Sequence, residues 1–147
     1  MAVREYRQTI ELGVDQLEKM KDYQLMLKDD VFEVVNENRI SGILSSLGTM
    51  FSFVIIGPYA TVAAATSLLL NAASALTASA KETLVNYCYY GYTSIQELID
   101  LCRENNADAV RAEVIFYESI AEYRFVRCKE DQMTIKAIRQ NGAWIEA

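Results

Sequence analysis

Alternating steps of three and four from Val3 meet Val3, Tyr6, Ile10, Gly13, Leu17, Met20, Gln24, Leu27, Val31 and Val34, apolar except at Gly13 and Gln24. Residues at that spacing share one helix face, so the seam predicts a long amphipathic helix over residues 2–38. Arg7, Glu11, Asp15, Lys19 and Glu33 fall on the other faces. A seam sustained over several heptads is also the spacing of coiled-coil packing.

The charges then stop. Between Arg39 and Lys81 there is no Asp, Glu, Lys or Arg. Gly57-Pro58 lies near the middle, and a proline cannot continue a helix but can open one at its first turn. The expectation is an uncharged helical hairpin: Ser41–Ile56, a turn at Gly57-Pro58, then Tyr59–Ala80. The first arm is bulky, with Phe51, Phe53 and Ile56, and the second is alanine-rich around Leu68, Leu69 and Leu70. Small residues recur four apart, as at Ala60/Ala64 and Ala63/Ser67, a spacing that lets helix backbones approach closely.

The second arm is expected to run on into Lys81–Tyr90 and to stop at Gly91. Thr93 with Gln96, and Ser94 with Glu97, read as overlapping capping boxes that open a short helix, Ile95–Glu104. Asn105-Asn106 would break it. A last helix, Ala107–Gln140, would carry Val110, Val114, Tyr117, Ala121, Phe125, Cys128, Ile135 and Ile138 on one side. Asn141-Gly142 reads as its C-terminal stop, with Trp144 and Ile145 in a docked tail. The expected architecture is therefore all-α: one domain, residues 1–147, packed as a helical bundle. An amphipathic helix (1–39) and C-terminal helices (81–147) flank the uncharged hairpin (40–80).

Composition narrows the function classes. Hydrophobic residues make up 52% of the chain, enough for a core and too many for disorder. The 14 basic and 20 acidic side chains give a net charge of −6, which repels nucleic acid in the absence of a basic face. Cys88, Cys102 and Cys128 form no C-x-x-C pair and leave one over, which suits buried thiols in a reducing, cytoplasmic compartment. No N-terminal secretion signal is expected, since the first long apolar stretch begins only after Arg39.

Candidate chemistry is sparse. The chain has no histidine, which removes imidazole bases, Ser-His and Cys-His pairs and imidazole metal ligands. Glu18/Asp22, Glu33/Glu37 and Glu118/Glu122 stand at helical spacing, but a di-metal carboxylate bundle also calls for a Glu-x-x-His motif. Gly42, Gly48 and Gly57 match neither a P-loop nor a dinucleotide-binding spacing. Arg124, Arg127 and Lys129 beside Glu130 and Asp131 read as a surface salt-bridge set. No catalytic residue, cofactor or metal site is expected.

The remaining candidates are contact residues. Tyr87 and Tyr90, with Tyr6 or Tyr123, suit an interface patch, since tyrosine is enriched at binding hot spots. Phe51, Phe53, Ile56, Pro58 and Leu69 mark the hairpin surface to be covered. Two flanking regions have little with which to wrap two uncharged helices, and a large uncovered apolar patch marks an association site. The expected function is a non-enzymatic structural or assembly protein, a homo-oligomer or a subunit of a larger complex; a phage virion or a secretion system would suit its size. The alternative expectation is membrane insertion of residues 41–80, two arms just long enough to span. In layout alone, with no shared motif, charged helices around an uncharged hairpin resemble helical pore-forming toxins and colicin pore domains. Against lipid stand the many serines and threonines of the segment and the absence of a Lys/Arg excess at its flanks.

Overall fold

The computed structural model describes residues 2–147. It is a mixed α/β fold, and this overturns the all-α expectation. The elements run β1 (Val3–Gly13), α1 (Val14–Met26), a π-helical segment (Leu27–Glu33), α2 (Glu37–Ser46), α3 (Met50–Val54), α4 (Val62–Ala75) and α5 (Ala78–Glu104). They are followed by β2 (Ala109–Ser119), β3 (Tyr123–Val126), a short 3-10 turn (Glu130–Gln132), β4 (Thr134–Gln140) and β5 (Ala143–Glu146).

Residues 3–13 of the expected N-terminal helix are a strand because they also satisfy a period of two. Tyr6, Ile10 and Leu12 alternate with Arg7 and Glu11, and alternation places the apolar set on one face of a sheet. The expected C-terminal helix fails for the same reason: Val110, Ala112, Val114 and Phe116 are two apart. β1 and β2 pair antiparallel over their full lengths, from Val3↔Ser119 to Gly13↔Ala109. The register sets Tyr6 beside Phe116, Ile10 beside Ala112 and Leu12 beside Val110. Shifting it by one residue would turn every apolar side chain to the wrong face.

β2 is the centre of the five-stranded antiparallel sheet. Its second edge is shared, Ala109–Glu113 pairing with β4 and Phe116–Ser119 with β3, while β5 lies beyond β4. Asn141-Gly142 is the two-residue turn between β4 and β5, not a helix stop, with φ of 51° and 79°. Positive φ at both central residues is the type I′ geometry that Asn-Gly adopts most readily. Trp144 and Ile145, expected in a tail, belong to β5.

The uncharged segment is not a pair of long arms. The first divides into α2 and α3 at Leu47–Thr49, and Ile55 leaves helical geometry to bridge Tyr123 of β3. The second ends at Leu76, and Thr77 caps α5 by accepting a hydrogen bond from the Ala80 N–H at 3.1 Å. Among the described residues, no helix is long and apolar enough to cross a membrane, and the two long arms expected over 41–80 are not formed. A coiled-coil seam over residues 2–38 is excluded, because β1 occupies its first third.

α5 runs unbroken through Gly91, where a helix stop was expected. A Cβ there would lie 1.7 Å from the Val126 carbonyl oxygen and 2.5 Å from Gln24 Nε2. Glycine at this position lets α5 lie directly against the edge of β3. Ser94, expected to cap a new helix, instead donates to the Cys128 carbonyl at 2.6 Å. A single core joins the apolar face of β1 and β2 to Leu17 and Met20 of α1, Leu44 of α2, Leu69 of α4 and Ile95 and Leu98 of α5.

Candidate functional site

A connected set of polar contacts gathers where β1, β2 and β3 meet α3. Arg4 and Glu118 stand directly opposite in the β1–β2 register. The Arg4 guanidinium reaches both carboxylate oxygens of Glu118, at 3.1 and 3.2 Å. Tyr6, next but one on the same face, donates its hydroxyl to Glu118 at 2.8 Å. The Glu118 side chain is only 4% exposed. Burial pushes its pKa up, but the hydrogen bonds from Arg4 and Tyr6 and the charges of Arg4 and Arg124 outweigh that and hold it below the ordinary carboxylate value.

Arg124 of β3 completes the cluster. Its guanidinium lies 4.4 Å from the ring centre of Phe53 and 4.5 Å from that of Phe116. Nε donates to the Phe53 carbonyl at 2.7 Å, and one terminal nitrogen donates to Tyr6 and Gln8 at 3.1 Å each. A charge flanked by two rings and bonded to three acceptors is held in one place. The contact also fixes the uncharged segment to the sheet, since the Ile56 N–H donates to the Glu122 carbonyl at 3.0 Å just beyond Phe53. A cleft of about 490 Å³ opens beside these residues, bordered by Ile56, Ile120 and Ala121.

This geometry positions backbone and offers little chemistry. Glu118 is an ionised acceptor already serving Arg4 and Tyr6, and a lowered pKa makes it a poor proton donor near neutrality. Ser119 donates to Glu122 at 2.5 Å. The three thiols are free and buried; burial raises the pKa of each, which suppresses the thiolate that redox or nucleophilic work requires. Among the described residues, no group of three or more Cys, Asp or Glu side chains is placed to hold a metal ion.

The expected contact residues fall in different places. Phe53 and Ile56 belong to the Arg124 cluster. Phe51 borders a shallow groove with Leu44, Gly48 and Val62. Pro58 is exposed in the loop before α4, and Leu69 is fully buried. Tyr87 and Tyr90 lie on α5, half-buried, where Tyr87 packs on Tyr117 with ring centres 6.2 Å apart. Tyr87 and Tyr90 also sit under cations, Arg127 at 5.4 Å and Lys129 at 4.8 Å. All three basic residues of the 124–129 cluster therefore lie over aromatic rings, a pairing that sequence spacing did not show. Arg127 adds an ion pair with Glu5 of β1 at 2.8 Å.

Sequence reading gave Gln24 no role and paired Glu118 with Glu122 at helical spacing. Gln24 is fully buried on α1. Its Nε2 donates to the carbonyls of Cys88 and Val126 at 3.1 and 3.0 Å, and its Oε1 accepts from the Val126 N–H at 2.7 Å. The amide thus satisfies the open edge of β3 as a neighbouring strand would. The available signal was its place as the polar interruption in an otherwise apolar seam. For Glu118 the spacing pointed to Glu122, because its partners on β1 are more than a hundred residues away.

No protein-family model, curated protein or solved structure matches this chain.

Proposed function

We propose that this protein is a non-enzymatic assembly subunit that works by self-association, burying the surface of its uncharged segment against protein. The observation that carries this reading is the character of that surface. The exposed positions between Ile40 and Ala80 are small and uncharged, among them Ser45, Ser46, Ala63, Ser67, Asn71 and Ser74. Ala63, Ser67, Asn71 and Ser74 form a stripe along α4. Solvated helix faces ordinarily carry charge, and depletion of charge is the compositional mark of an interface centre. Small side chains also let a neighbouring element approach closely.

The many serines and threonines of the segment fit protein contact. Several are already satisfied within their own helices, as where Ser45 donates to the Ser41 carbonyl and Ser74 to that of Asn71. They would enter an interface without leaving unpaired donors. The occupied Glu118 and Arg124 and the buried thiols support a non-enzymatic reading.

The test is sedimentation over a concentration series, comparing wild type with the double variant Ser67→Lys, Asn71→Lys. Both positions are exposed, so circular dichroism should be unchanged. Wild type should associate, and the double variant should lose at least one association step, because two lysines would be desolvated without partners. A wild type that stays monomeric, or a double variant that assembles like wild type, would overturn the proposal.

A further inference from the structure

We infer that two copies of this chain pair through the outer edge of β1, antiparallel and centred on Thr9, extending the sheet of one protomer into that of the other. Among the described residues no strand pairs with that edge. β1 runs through eleven residues without proline, lysine or bulge, three of the devices that block edge-to-edge pairing, and its four charges are mixed in sign: Arg4, Glu5, Arg7 and Glu11.

The direction of its free backbone groups follows from the ladder. The Ala2 carbonyl accepts from the Ile120 N–H at 3.1 Å, and the Val14 N–H donates to the Asp108 carbonyl at 3.2 Å. Both are even-numbered and both face β2. Alternation then turns the N–H and C=O of Glu5, Arg7, Thr9 and Glu11 outward, while Gly13 is taken up by the start of α1, its N–H donating to Gln16 Oε1 at 2.9 Å.

Charge selects the register. With Thr9 opposite Thr9 of the second copy, Arg7 faces Glu11 twice over and the main-chain pairing covers residues 7–11. Centring on Gln8 sets Glu5 against Glu11, and centring on Arg7 sets that arginine against itself. Centring on Tyr6 matches Arg7 with Glu5 over residues 3–9, but sets Thr9 against Val3 and leaves Glu11 outside the pairing. Arg7 already lies 3.7 Å from Glu113, and Glu11 lies 3.5 Å from Arg111. The Thr9-centred pair therefore joins both into one row of alternating sign: Glu113, Arg7, then Glu11 and Arg111 of the second copy. Opposite charges and paired threonines directly across a ladder are each favourable, and the main-chain bonds of strand addition supply affinity.

This inference rests on the self-association reading and names one of its interfaces. It is tested with Thr9→Pro, Arg7→Glu and Thr9→Cys in the full chain. The Thr9 N–H points away from β2, so a proline there removes no internal hydrogen bond and is tolerated as edge prolines are. Thr9→Pro should keep the wild-type circular dichroism and lose the two-fold pairing in sedimentation. Arg7→Glu should raise the dimer dissociation constant by roughly tenfold. Thr9→Cys should form a disulfide-linked dimer on mild oxidation, because hydrogen-bonded antiparallel residues stand ~5.5 Å apart at Cα, within disulfide reach.

A folded Thr9→Pro variant that associates like wild type would overturn the inference. If that variant does not fold, Thr9→Cys decides: failure to cross-link overturns the β1 interface. A wild type that remains monomeric removes both this inference and the proposed function. Association dissolved by Ser67→Lys, Asn71→Lys but indifferent to Thr9→Pro removes only the β1 interface.

Discussion

Replacing Gln24 with leucine tests how the helices hold the sheet. The side chains are similar in volume, so little cavity is left, and the cost comes from polar groups that lose their partners. Cys88 lies within α5, where the helical ladder already serves its carbonyl. Val126 has no such reserve: its N–H and C=O both bond to Gln24, at 2.7 and 3.0 Å, and sit against Gly91 in the core. Leaving a buried donor or acceptor unpaired costs about 1–3 kcal/mol, so two give about 4 kcal/mol. Domains of this size are stable by about 5–15 kcal/mol. With a urea slope of about 2 kcal/mol/M, the unfolding midpoint followed by circular dichroism should fall by about 2 M. A midpoint within about 0.5 M of wild type, which that slope equates to ~1 kcal/mol, would refute the view that Gln24 acts as a substitute strand. Gln24→Glu separates polarity from shape. A carboxylate there would face two carbonyls, so its folded pKa would lie above the unfolded one. Stability is then fully present below the unfolded value and is lost as pH rises through the folded one. Gln24→Glu should therefore approach wild type in acid and fall away from it near neutrality, while Gln24→Leu shows no such recovery.

Four further outcomes are expected. Gly91→Ala should cost more than ~3 kcal/mol in urea unfolding, since the new methyl meets a backbone carbonyl at 1.7 Å that cannot turn aside. Ala121 holds φ at +61° in the β2–β3 turn, so Ala121→Gly should stabilise the fold by about 0.5–1 kcal/mol, read as a raised Tm. Leu69→Lys, at a fully buried position, should unfold the protein rather than only dissociate it; a folded monomer would contradict the position of α4 in the core. For Glu118, whose pKa is lowered overall by Arg4, Tyr6 and Arg124 against the upward push of burial, stability is present above the unfolded carboxylate pKa and lost as pH falls through the folded value. Glu118→Gln should flatten part of the acid-side decline in a pH series of Tm values, and an unchanged decline would show that the pair contributes nothing.

Residue order by itself determined the local facts: the absence of a histidine-based site, the uncharged stretch from Ile40 to Ala80, the breaks near Gly57 and Asn141-Gly142, and the helical character of residues 14–26 and 95–104. These follow from residue type and short-range sterics. Val3–Gly13 and Ala109–Ser119 were different, because Tyr6 and Ile10, or Val110 and Val114, satisfy a period of two and a period near four together. An isolated segment with both patterns has no means of choosing. The choice came from pairing across more than a hundred residues, where β1 and β2 each supply the backbone partners the other lacks and Arg4 meets Glu118. The same holds for the site. Arg124, Tyr6 and Phe53 stand out in sequence only in three separate groupings and become one cluster only when three strands and α3 converge. Gln24 was visible as an interruption in an apolar seam, and only the edge of β3 gave that interruption a purpose: a buried strand edge must be satisfied, and a side-chain amide carries both a donor and an acceptor.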